Sequence, residues 1–155
     1  MSIPVEVVGV RIEMPSNQPI VLLKEIDGAR YLPIWVGAVE ASAIAFAQQG
    51  LVPHRPLTHD LFSSVLNLLD SAVEKVEIVD LIDGVFFSEL HLHGSKIVSA
   101  RPSDALALAL RAQAPIFASE ILFAKAGIEI PDQSDDEVEK FREFLDQINP
   151  DDFAS

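Results

Sequence analysis

The chain has 155 residues, 49% of them hydrophobic, with mean hydropathy +0.28, net charge −13 and no cysteine. That length suits one domain with a real core, and the apolar content excludes an extended disordered chain over most of it. Disulfides and thiolate metal sites are excluded as well.

No apolar run reaches the roughly 18 residues that a membrane span needs, because Glu40, Arg111 and Glu120 interrupt the richest stretches. Met1-Ser2-Ile3-Pro4 shows no basic-then-apolar leader pattern, so a cytoplasmic location without a membrane partner is expected. The charge is uneven. Residues from Glu129 onward carry 10 acids and 2 bases. Nowhere is there the basic stripe that supplies most non-specific affinity for nucleic acid.

In chain order, Val8, Val10, Ile12 and Met14 alternate with polar neighbours and predict a half-buried strand. Ile20 to Glu25 and Arg30 to Val36 read as two more strands, with Asp27-Gly28 as the residue pair of a two-residue hairpin turn. The alanine-rich stretch Val39 to Gln49 suits a helix closed by Gly50. After the loop around Pro53 and Pro56, Thr58 is the expected N-cap of a helix to about Asp70. Leu61, Phe62, Val65, Leu66 and Leu69 recur there at helical spacing.

The second half repeats this plan. Strands Val73 to Ile82 and Val85 to His93 flank a second turn pair, Asp83-Gly84, and Lys96 to Ala100 is a further short strand. Pro102 stands at the first position of a helix to Gln113, and Ser119 is placed to cap one through Ala126. The expected fold is therefore α+β: a mixed β-sheet with helices packed against it, built from two similar strand-strand-helix-helix halves. Both alanine-rich helices are apolar on more than one face, which implies burial within the fold or at a subunit interface. In the tail, Ser134 and Glu137 form a capping box ahead of an acidic amphipathic helix with Val138, Phe141, Phe144, Leu145 and Ile148 on one stripe. The expected division is 1–130 for the domain and 131–155 for the acidic helix and tail.

Three constellations could carry chemistry. Arg55-Pro56-Leu57-Thr58-His59-Asp60 sets a cation, an imidazole and a carboxylate at one helix start. His59 is a candidate general base and Asp60 a metal ligand or orienting group; alternatively Asp60 merely complements the helix dipole. Arg101-Pro102-Ser103-Asp104 offers a helix N-terminus with flanking donors, a phosphate cradle with Asp104 as a cation ligand, or simple dipole and ion-pair chemistry. On Val85 to His93, alternation puts Phe87, Glu89, His91 and His93 on one face, either a metal-binding row or the solvated side of a sheet.

Beyond these local patterns, the chain resembles the bacterial and plant bifunctional nuclease family. The matching strings are Val21-Leu22-Leu23-Lys24 with Asp27-Gly28, Tyr31-Leu32-Pro33-Ile34-Trp35-Val36-Gly37 with Glu40-Ala41, and Arg55 through Leu61. Asp83-Gly84 with Phe86-Phe87-Ser88-Glu89-Leu90 and Ala100 through Ala105 complete the set. The resemblance implies a small, oligomeric α+β fold, with a dimer as the expected state, and degradation of both RNA and DNA. It carries over Glu40, His59, Asp60, Arg101, Ser103 and Asp104 as motif positions. Ser99 stands where the family often has an acid, and the UVR-like C-terminal motif of some plant members is absent.

Together these lines lead to one expectation, a nuclease hydrolysing phosphodiesters with Mg2+ or Mn2+ held by Asp60, Asp104 and Glu40. His59, Asp60, Arg101 and Asp104 would be catalytic, and Arg55 and Ser103 would contact a nucleic acid held weakly by an acidic surface. The alternative is a non-enzymatic oligomeric scaffold or small-anion-binding module.

Overall fold

A computed structural model describes residues 1–130, and the capping box and amphipathic helix expected in the tail lie outside them. The elements are β1 (Ser2–Glu13), β2 (Gln18–Glu25), β3 (Arg30–Trp35), α1 (Ala38–Gln49), α2 (Thr58–Leu68), β4 (Val73–Ile82), β5 (Val85–Leu92), β6 (Lys96–Ala100), α3 (Pro102–Ala112), β7 (Ile116–Ser119), α4 (Glu120–Ala126) and β8 (Ile128–Glu129). The eight strands form one mixed sheet in the order β6-β5-β4-β7-β1-β2-β3-β8, with β4 and β7 as its parallel pair. The chain is an α+β domain.

Alanine explains how the helices meet. Ala41 through Phe46 of α1 and Ala105 through Ala109 of α3 are buried without a break. Small side chains let α1 and α3 approach each other while both lie on the sheet, α1 against β1 and β2, α3 against β4 and β5. Larger side chains between the alanines (Ile44, Phe46 and Leu106) are almost completely buried, each contributing about 1.5–3 kcal/mol.

Several local expectations change. Asp83-Gly84 is the tight turn expected, with both residues at positive φ (51° and 78°) and Ile82 paired to Val85. Asp27-Gly28 is not: Ile26 through Ala29 connect β2 to β3, and the Glu25 carboxylate folds over Gly28 to meet Arg30. Met14 lies past the end of β1 and is exposed, while a bulge between Val7 and Gly9 resets the alternation. Thr58 is the first residue of α2 rather than its cap; Leu57 is the N-cap, and the Asp60 carboxylate accepts its backbone N–H at 3.0 Å.

Equivalence of the two halves extends only to three strands followed by a helix. The second half then inserts β7 between α3 and α4, and this strand joins the two sets of strands by pairing with β4 and β1.

Candidate functional site

Three helix starts converge. Glu40 lies in the first turn of α1, His59 and Asp60 in that of α2, and Asp104 in that of α3, whose N-cap is Arg101. Pro102 at the first helical position costs no hydrogen bond, since that N–H has no intrahelical acceptor. The Arg101 carbonyl then takes the Ala105 N–H at 3.0 Å.

The side chains form a connected row. Arg101 reaches Glu40 Oε1 through Nη2 at 3.1 Å and Asp104 Oδ2 through Nε at 2.9 Å. The other Asp104 oxygen lies 2.9 Å from His59 Nε2. Partial burial pushes the Asp104 carboxyl up, but hydrogen bonds from Arg101 and then His59 outweigh it and hold the group below the usual aspartate range. An ionised Asp104 can only accept. Nε2 is therefore the ring nitrogen that donates to it. Arg101 is itself raised by its hydrogen bond to Asp104 and stays two-thirds exposed.

Beside this row lies a cleft of about 380 Å³ whose walls include Trp35, Gly37, Phe86, Arg101, Pro102 and Ser103. Trp35 is half exposed and its indole N–H donates to Glu13 Oε2 at 2.9 Å. Gly37 has ordinary extended backbone angles, so its lack of a side chain has a steric reason: a Cβ there would come within 2.3 Å of Glu40 Oε2.

Thus Glu40, His59, Arg101 and Asp104 are brought together, with Ser103 buried in the cleft wall. Arg55 is exposed in the loop before α2. Asp60 points elsewhere: besides capping α2, it accepts Arg111 Nε at 2.7 Å. Arg111 also donates to the carbonyls of Ala43 and Ala107, tying the three helices together. Sequence reasoning missed Arg111, whose role is visible only once α1 and α2 are placed.

Glu40, Asp60 and Asp104 fit arginines better than a divalent ion. Arg101 stands between Glu40 and Asp104, and both Asp60 oxygens are taken. Among the described residues, the donors that do cluster are Glu77, Glu89 and His91, with one ligand atom from each within 4.8 Å of the others. His93, expected in the same row, turns to Glu74 at 3.2 Å instead.

The chain is thus an α+β domain with an arginine–carboxylate–imidazole row where three helix starts meet. The sequence matches the family described as the bifunctional nuclease domain over residues 21–131. The chain belongs to that family. It is 52% identical to uncharacterized protein MT1877 of Mycobacterium tuberculosis strain CDC 1551 / Oshkosh, covering 97% of this chain and 98% of that protein. It is equally similar, at the same coverage, to uncharacterized protein Rv1829 of strain H37Rv. No helix among the described residues is long and apolar enough to cross a membrane.

Proposed function

We propose that this protein hydrolyses phosphodiesters of RNA and DNA at the cleft beside α3. The observation that carries the reading is the His59–Asp104 pair, 2.9 Å apart, with Arg101 reaching from the same carboxylate into the cleft wall. Asp104 fixes the ring tautomer, and His59 Nδ1 accepts a proton from the water that attacks phosphorus; the P–O bond to the leaving oxygen breaks, and that oxygen takes up a proton from solvent water. Arg101 and the free N–H groups at the start of α3 offset the charge that builds on the phosphoryl oxygens. Exposed Trp35 gives a face on which a base can stack. With so few cations at the cleft, binding is weak and its salt dependence shallow.

Mg2+ or Mn2+ enters this reading as a rival to Arg101 for Glu40 and Asp104. The test is cleavage of labelled single-stranded RNA and DNA with Mg2+, Mn2+ or EDTA, using wild type beside His59→Gln, Asp104→Asn and Asp60→Asn. His59→Gln and Asp104→Asn should lower the rate by roughly 10²–10⁴-fold, while Asp60→Asn should act mainly on stability. Equal cleavage in every sample would identify a contaminant. No cleavage by wild type would favour the oligomeric anion-binding module.

Homo-oligomerisation, as a dimer, is supported by α2, which buries no residue and leaves Leu61, Phe62, Val65 and Leu68 exposed, as is Leu69 at its C-cap. Such a contiguous apolar face is characteristic of an interface. Light scattering of wild type and Phe62→Glu checks it, since a dimer through α2 should become monomeric in the variant.

A further inference from the structure

The sheet carries a second cluster of chemistry-bearing side chains, away from the cleft. Ser88 and Leu90 of β5 are buried on the side that α3 covers. Alternation sends Glu89 and His91 to the opposite face, and the strand register sets Glu77 of β4 directly across from Glu89. Glu77 Oε2 and Glu89 Oε1 stand 3.7 and 3.5 Å from His91 Nε2. All three donor atoms lie within 4.8 Å of one another.

His91 Nε2 is shut off from solvent and has no hydrogen-bond partner. Native structures seldom leave a buried polar nitrogen in that state without a missing water or ion to account for it. Ser2 Oγ donates to Glu77 Oε1, which leaves Oε2 facing the imidazole. The cations nearby are engaged: Lys75 lies over the Phe117 ring and Lys125 meets Asp80 at 3.4 Å. Among the described residues, no lysine or arginine is ion-paired with Glu77 or Glu89. An ion with N and O ligands at about 2.0–2.2 Å holds tetrahedral donors roughly 3.3–3.5 Å apart. The two carboxylate–imidazole distances, 3.7 and 3.5 Å, are near that value.

We propose that Glu77, Glu89 and His91 bind a borderline divalent cation of the Zn2+ type, with three protein donors and one coordination position open. The mixed N/O donor set suits such an ion better than Mg2+, which takes oxygen ligands and keeps its water. This site is independent of the cleft at α3, since none of its residues belongs to that row.

Calorimetric titration of the full chain with Zn2+, paired with the visible spectrum of the Co2+ form, tests it. One ion should bind per chain, with Co2+ bands of a four-coordinate site. Affinity should fall at least about tenfold in His91→Gln and Glu89→Gln, and stay unchanged in Asp104→Asn. No binding, or equal affinity in wild type, His91→Gln and Glu89→Gln, would overturn the proposal. Should the variants fail to fold, imidazole nitrogen spectra of wild type decide: a Zn2+-induced shift confined to His91 supports the site, and a shift at His59 alone, or none, overturns it.

Discussion

At Gly37 the chain shows how much a missing side chain can position. The residue sits at φ −74°, where alanine is unstrained, yet its Cβ would collide with the carboxylate that meets Arg101. Gly37→Ala should therefore leave folding nearly intact while pushing Glu40 off Arg101. On the proposed function, kcat/KM for nucleic acid should drop about tenfold, equivalent to roughly 1.4 kcal/mol of transition-state stabilisation. A variant as active as wild type would show that the Glu40–Arg101 contact does not matter. The row itself was half legible in the sequence. Glu40, His59, Arg101 and Asp104 stood out as motif residues, but the pairing of His59 with Asp104 joins separate helices and no local pattern encodes it. Glu77 gave no signal at all, because a glutamate in an alternating strand reads as its wet side until the neighbouring strand's register is known.

Among the elements, α2 depends most on a single contact. Its apolar residues contribute little burial, with only Leu66 packed against the core. What fixes it is Asp60, which caps the helix and receives Arg111 from α3. Arg111→Met keeps the aliphatic stem but leaves a partly exposed Asp60 without its cation. The expected loss is about 2 kcal/mol, discounted from the cost of a fully buried pair because Asp60 is near a third exposed. Urea unfolding measures it as a lower midpoint at unchanged slope; an unchanged midpoint would show that α2 is held by something else. Long periodic segments such as β2, β4 and α3 were readable from hydrophobic spacing alone. β7 was not. Its four residues follow Pro115 and are too few for a period to show. The first residues of β1 were hidden differently, since Pro4 argues against a central strand, although β1 pairs on both sides.

For the molecule as a whole, one ion-pair network bridges distant parts of the chain. Arg30 reaches Glu25 Oε1 at 2.7 Å, Glu120 Oε1 at 2.9 Å, and stacks over Phe123. Hydrogen bonds from Arg30 hold both glutamates below their usual range. Groups so depressed stabilise the fold fully above their unfolded value and lose that contribution as pH falls through the folded one. The stability difference between wild type and Arg30→Gln should thus be flat from pH 7 to about 4.3 and shrink below it. Urea midpoints at stepped pH check this; a difference that persisted at pH 2 would mean Arg30 acts by packing on Phe123 rather than by charge.

The place of β7 also has a meaning in time. Ser2 to Val5 of β1 find their central partners only in Ile116 to Ser119, close to the end of the described chain. During synthesis the N-terminal strands leave the ribosome with one flank of β1 unpaired, and that open edge waits until nearly the whole domain has been made. Such long-range closure slows folding, and an exposed strand edge invites pairing with other chains. Nascent chains stalled before Ile116 should therefore depend on holding chaperones, and those extended past Ala126, with enough length to clear the exit tunnel, should not.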